Sequence, residues 1–214
     1  MAVYQIIASP KKINKLFRLY SSVHNLPRIN ITNSAYLSRA VSTVPNEMKP
    51  FLEIQYKSLI EIVKESGIEP LIPVELSPNV DINEINPKND EMERVAKFLI
   101  PLCYAISDGR SFEHGVGYAI AKPTIPLLLK GQKINIPTIR RPCHVPIIFE
   151  DFSKERDSKN LLSLLREFQK YDYGTGLCSI HGKTLIGFKK ESYDKDCMRC
   201  VASNYFEVVS AKIY

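Results

Sequence analysis

Residues 102–130, LCYAISDGRSFEHGVGYAIAKPTIPLLLK, are the stretch from which the fold is read. Residues 102–107 form a short apolar run with Tyr and Ile, the mark of a buried strand. Asp108-Gly109 breaks the run as a turn pair. Ser111 is placed to cap a helix that starts at Phe112, with Glu113 in its first turn. Gly115, Gly117 and Ala119 give that helix a face almost without side chains, which lets it lie close on a sheet. Lys122-Pro123 ends it, and residues 124–129 are a second apolar strand. Strand, glycine turn, helix, strand is the repeating unit of a parallel α/β sheet, in which ligands bind at the carboxyl ends of the strands.

Outward from this unit, the same alternation continues. Residues 3–8 read as a strand closed by Ser9-Pro10. Residues 11–24 place Ile13, Leu16, Phe17, Tyr20 and Val23 on one helical face. Residues 25–45 are polar, with two prolines, and read as a long loop with one helical turn near 36–39, of the kind that covers a pocket. Residues 46–66 return to helical spacing and stop at Gly67. Residues 68–76 are a strand whose Pro70 and Pro73 suit a sheet edge. A short helix at 90–99 leads into the central strand, a further strand spans 145–149, and a helix spans 157–171 with Leu161, Leu162, Leu164, Leu165 and Phe168 as its buried stripe.

The central segment resembles the active-site segment of the nucleoside 2-deoxyribosyltransferase family and its nucleotide N-glycosidase relatives. Their pattern is a strand, an Asp-and-Gly turn, then Glu-x-Gly-x-Ala-x-Ala-x-x-Lys-Pro. Glu113, Gly115, Ala119, Lys122 and Pro123 match without gaps, and Asp108 and Gly109 match the acidic turn. Ile7-Ala8-Ser9-Pro10 is similar to the motif that closes the family's first strand. The resemblance covers roughly residues 3–130. It implies a flavodoxin-like parallel sheet with helices on both faces. It also implies that Glu113 is the catalytic nucleophile with Asp108 as its polar partner, and that Ser9, Pro10, Gly109, Arg110, Ser111 and Gly115 contact a nucleoside or nucleotide substrate.

From Gly174 the pattern changes. Cys178-Ser179-Ile180-His181 and Cys197-Met198-Arg199-Cys200 are C-x2-H and C-x2-C pairs separated by fifteen residues. Two ligand pairs on tight turns with a hairpin between them are what a tetrahedral zinc site needs. Residues 184–188 and 205–209 are the expected strands of that hairpin. Four ligands close the coordination shell, so the expected zinc is structural, stabilising a tail too short to bury much core. Cys143-His144 has no partner spacing and reads as packing or surface, and Cys103 reads as a buried small hydrophobe.

The chain of 214 residues carries a net charge of +6, with a pI of about 9.0. That balance permits contact with phosphates without demanding it. Lys183, Lys189, Lys190, Lys195 and Arg199, with Tyr193, Tyr205 and Phe206 nearby, make nucleic acid a candidate partner of the zinc segment. No apolar run approaches the roughly 20 residues of a membrane span. The opening MAVYQIIASPKK has no basic lead before its apolar run, so it does not read as a secretory signal. The five cysteines are an odd number, which argues against a disulfide framework. A cytoplasmic location, no membrane and a homo-oligomer are expected. The expected division is an α/β domain over 1–150 and a C-terminal helix with a zinc-ribbon-like segment over 151–214.

Two functional readings follow. In the first, Glu113 attacks C1′ of a (deoxy)ribonucleoside or nucleotide through an oxocarbenium-like transition state, and the sugar passes to another base or to water. In the second, the same fold senses a nucleotide without turnover and the zinc segment binds nucleic acid or a partner. Ile6, where the family carries a Tyr, and Pro101-Leu102, where it carries an Asp, favour the second. Glu113 favours the first.

Overall fold

Strand β1 (Ser34–Tyr36) lies inside a parallel sheet, between β2 (Glu69–Leu71) and β3 (Phe98–Leu99). The computed structural model describes residues 33–39, 44–73, 89, 91–104, 122–132, 142–189, 192 and 194–209. All of these fall in one compact unit spanning 31–214. The strand corrects the reading of 25–45 as a loop. Ala35, Tyr36 and Leu37 are buried, and so are Ser34 and Ser38. Serine is small enough to sit inside a sheet, so the letters that look like loop flank a short apolar strand core.

Strands β4 (Leu102–Cys103), β5 (Leu127–Leu129) and β6 (Ile147–Phe149) continue the sheet in parallel. The expected parallel pairing of the runs beginning at 102 and ending at 129 is therefore present. The expected strand at 3–8 and the helix from 112 lie outside the described residues. Bridges Arg39–Leu102, Leu99–Thr124 and Thr124–His144 carry the same registers from one group of strands to the next. They make β3 and β4 two halves of one run, interrupted at Pro101. Leu99 N donates to Pro123 O on the β5 side (3.0 Å). Residue 101 would do the same one step later, but proline has no N–H to give. The Pro101 carbonyl still accepts from Leu127 N at 2.9 Å, so only a single rung is lost. The spatial order is β2, β1, β3–β4, β5, β6, with β10 (Glu207–Val208) antiparallel on the β6 edge. Pro70 sits in β2 at the other edge, as expected of a strand with a missing donor.

Helix α1 (Lys49–Glu65) follows a 3-10 turn at Asn46–Met48. A proline in its first turn costs no hydrogen bond, and Gly67, at φ 82°, takes the left-handed position that ends it. Its inner face buries Leu52, Gln55, Tyr56, Leu59, Ile62 and Val63. Helix α2 (Glu155–Phe168) packs against α1 on the same face of the sheet. A 14-residue helix is marginal alone. Burying Leu161, Leu164, Leu165 and Phe168, at roughly 1.5–3 kcal/mol each, decides it. The helix ends at Phe168 rather than 171. Gln169 Nε2 reaches back to Ser66 O (2.9 Å), and Tyr171 opens a strand. The opposite face of the sheet is covered in part by the helical residues 91–95, through Met92 and Ala96 against Tyr36 and Leu99.

Gln55 fixes α1 to the chain after β6. Its Nε2 donates to Asp151 Oδ1 (2.7 Å), and its Oε1 accepts from Phe152 N (2.6 Å). Asp157 Oδ2 accepts from Glu150 N and Asp151 N at 2.7 and 2.9 Å, tying α2 to the same corner.

Beyond α2 the chain forms an antiparallel sheet of β7 (Tyr171–Cys178), β8 (Gly182–Lys189) and β9 (Lys195–Cys197), followed by the short helix α3 (Met198–Ala202). The hairpin therefore pairs β7 with β8, not 184–188 with 205–209. Residues 207–208 leave it for the β6 edge, where Val209 packs against the Cys103 and Leu128 cluster. Phe98, Phe168, Leu185, Met198 and Ala202 share one hydrophobic core. Among the described residues, no helix is long and apolar enough to cross a membrane.

Candidate functional site

The β7–β8 turn and the β9–α3 junction bring Cys178, His181, Cys197 and Cys200 together, with all four candidate ligand atoms within 4.8 Å of one another. Antiparallel pairing does this. Cys178 faces Gly182 across the turn, and Cys197 faces Ile186 on the other side of β8. One helical turn then returns Cys200 to the group. Cys178 Sγ lies 3.8 Å from Cys200 Sγ. His181 Nδ1 lies 3.8 Å from Cys178 Sγ and 3.5 Å from the sulfurs of Cys197 and Cys200. A tetrahedral ion with metal–sulfur bonds of about 2.3 Å and a metal–nitrogen bond of about 2.05 Å needs S···S edges of about 3.8 Å and S···N edges of about 3.6 Å. The Cys178–Cys200 separation and the three sulfur–nitrogen separations lie close to those edges, all four atoms fall within 4.8 Å of one another, and the four residues could hold one metal ion.

The electrostatics agree. Burial, and then the Arg199 charge, pull the His181 imidazole below its usual pKa, which keeps it neutral for ligation. Burial first, then the Cys197 and Cys178 sulfurs, push the Cys200 thiol up to about 12. Three thiols this close ionise together only with a cation between them. At Cys178 burial opposes ionisation, but backbone donors at His181 and Ile180 outweigh it and hold the thiol below its usual range. Ile180 N is 3.4 Å from its sulfur.

Arg199, between the last two ligands, is buried and donates through Nε to His144 O (3.0 Å). It pins the segment of candidate ligands to the chain just before β6. His144 and Cys143 are themselves buried, with Cys143 Sγ 3.5 Å from His144 Nδ1. Cys103 is buried as expected. Of the cations expected to form a nucleic-acid face, Arg199 is thus internal, Lys189 lies 3.6 Å from Asp196, and Lys195 sits over the Phe188 ring. Phe206 is buried. Residues 171–209 carry five Lys and Arg against five Asp and Glu.

A second feature lies at the carboxyl ends of the parallel strands. A cavity of about 180 Å3 is lined by Arg39, Val44, Lys49, Leu52, Glu53, Leu102 and Tyr104. Arg39 continues β1, and Tyr104 continues β4. Successive connections run to opposite sides of β1 at this point, so the chain diverges and leaves a crevice. Arg39 is fixed from two directions. Its Nη1 pairs with Glu53, and its guanidinium lies 4.4 Å from the Tyr56 ring centroid. Tyr56 OH in turn donates to Leu37 O at 2.9 Å. The hydrogen bond from Arg39 holds the Glu53 carboxyl below its usual range.

Ser9, Pro10, Asp108, Gly109, Arg110, Ser111, Glu113 and Gly115 lie outside the described residues. Lys122, the other charged position of the family-like motif, has a structural role. Its Nζ donates to the carbonyls of Glu93, Arg94 and Ala96, so it closes the end of the helical residues 91–95. Arg39 and Glu53 carried no motif. The apolar core Ala35-Tyr36-Leu37 was the available signal for a strand ending at Arg39. The chain matches no protein-family model and no curated protein sequence.

Proposed function

We propose that this chain is an N-glycosyl transferase or hydrolase acting on (deoxy)ribonucleosides or nucleotides, on a flavodoxin-like sheet whose C-terminal appendage is held by one structural zinc. The observation that carries the reading is the cavity at the point where the strand order reverses. In open α/β sheets that crevice is where ligands bind. The strand order β2, β1, β3–β4, β5, β6 supports the flavodoxin-like assignment. The chain that leaves Tyr104, on the cavity wall, is the one that carries Asp108 and Glu113.

In this reading the Glu113 carboxylate forms a bond to C1′ as the N-glycosidic bond breaks, and the departing base takes its proton with help from Asp108. The glycosyl ester then passes its sugar to a second base or to water, which restores the carboxylate. Arg39 and Lys49 supply positive charge at the cavity for the polar end of the substrate. Cys178, His181, Cys197 and Cys200 would hold the zinc with four protein ligands, as in structural sites, and it would take no part in the chemistry.

The test is incubation of the protein with deoxynucleosides or their 5′-phosphates, with and without a second free base, followed by chromatography of bases and nucleosides. Exchanged nucleoside or released base is expected, and Glu113→Gln should abolish it while ligand binding persists. Full turnover by Glu113→Ala would overturn the mechanism. Ligand binding without turnover by the unaltered protein would move the reading to a nucleotide sensor.

A further inference from the structure

Thr184 is fully buried in the middle of β8, and its Oγ1 has no hydrogen-bond partner among the described residues. A buried hydroxyl without a partner is destabilising, and valine would give the same shape without the cost. The β-ladders show what surrounds it. In an antiparallel sheet, residues directly opposite one another share a face, and every second residue returns to it. Thr184 is opposite Gly176, Gly182 is opposite Cys178, and Ile186 is opposite Cys197. Cys178, Thr184 and Cys197 therefore stand on one face, with Thr184 diagonal to a candidate ligand on each side. Directly across, Gly176 carries no side chain, and Ile186 leans over it, its Cγ1 2.7 Å from where a Cβ would stand, so no polar group reaches the hydroxyl from that side.

We propose that the Thr184 hydroxyl donates a hydrogen bond to a metal-bound thiolate of this centre, Cys178 or Cys197, and so tunes its affinity for the metal. The inference rests on the metal reading of the four-residue cluster. A neutral thiol is a weak acceptor, whereas a metal-bound thiolate carries charge and accepts strongly. In this arrangement the hydroxyl has no partner among the described residues, the cysteine sulfurs included, and it acquires one as the ligands draw in around the ion. Cys178 already receives one such donor, Ile180 N at 3.4 Å. Thr184 is a positioning residue, not a ligand, since the cluster supplies four ligand atoms without it.

The test uses the full chain, stripped with a chelator and reloaded with Zn2+ or Co2+. Thr184→Val should lower zinc affinity about 10-fold or more in chelator competition. It should also shift the thiolate-to-Co2+ charge-transfer band while leaving the tetrahedral d–d bands in place. Thr184→Ser should restore both. In the metal-free state Thr184→Val should melt no lower than the unaltered chain, because it removes an orphan. An affinity within about twofold of the unaltered chain, with an unmoved charge-transfer band, would overturn the proposal. So would a Thr184→Val chain that melts lower without metal and is not rescued by serine, since that is a packing defect. Failure of the unaltered chain to take up either metal would overturn the metal reading itself, and this inference with it.

Discussion

Replacing Lys122 by Met removes a buried ammonium but keeps most of the side-chain volume. Lys122 Nζ donates to Glu93 O at 2.7 Å, to Arg94 O at 2.6 Å and to Ala96 O. The last carbonyls of a helix have no partner within it, and here one side chain serves three of them. The bonds to Glu93 O and Ala96 O are buried, and the one to Arg94 O is partly exposed and can be rehydrated. Leaving two buried carbonyls without a donor, at about 1–3 kcal/mol each, predicts a loss of ~3 kcal/mol at pH 7. Urea unfolding of both proteins measures it. A pH series adds a second, independent check. Burial pulls the Lys122 pKa from 10.5 to about 8, with the Glu93 carboxylate acting the other way. Between those values the unfolded chain holds a proton that the folded one has released. Wild-type stability relative to Lys122→Met must therefore rise from pH 8 towards 10.5, and that gain is lost as the pH falls through 8. A difference below about 1 kcal/mol at pH 7 would refute the assignment of Lys122 as the cap, and one that narrows as the pH rises would refute the lowered pKa.

Gly187→Ala should destabilise the C-terminal sheet by about 1–3 kcal/mol, read as a lowered urea midpoint with an unchanged slope. A Cβ there would lie 2.5 Å from Met198 Cε and 2.6 Å from Tyr171 Cδ1. The methionine end can move, but the Tyr171 ring is held by its hydroxyl bond to Asp196 at 2.7 Å. Removal of the proposed zinc should lower the melting temperature and release amide protection in β7–β9 before the parallel strands. Readdition at 100 times its dissociation constant should restore ~2.7 kcal/mol, and identical melting with and without metal would contradict a structural role.

The Cys/His cluster was legible from letters alone because metal chemistry favours short, local spacings. A separation of a few residues within each pair lets both members face one ion, whatever the rest of the chain does. Helix α1 was legible for a similar reason, since its buried stripe and Gly67 stop are local. So were the apolar runs that became β4 and β5, and the edge position of the proline-bearing β2. What depends on distant partners was not. Ser34–Tyr36 is a strand because β2 and β3 bond it on both sides, and the three-residue apolar core Ala35-Tyr36-Leu37 is too short a local signal to announce that. Residues 205–209 were assigned to the metal hairpin by proximity in the chain, but β7 already satisfies β8. The free β6 edge takes Glu207–Val208 instead. Lys122 reads in the sequence as a helix end and a match to the family-like pattern, and only the fold brings the carbonyls of 93, 94 and 96 to its ammonium. Arg39 and Tyr104 come from strands 63 positions apart in register (Ala35 opposite Phe98), so the cavity they share exists only once those strands are paired. The sequence by itself determined the residues able to bind a metal and the alternation that makes an α/β sheet. The tertiary structure alone decided strand order, the crevice at its reversal, and the burial of Thr184 and Arg199. Hydrogen-bond ladders and desolvation act between segments far apart in the chain, and no local pattern encodes them.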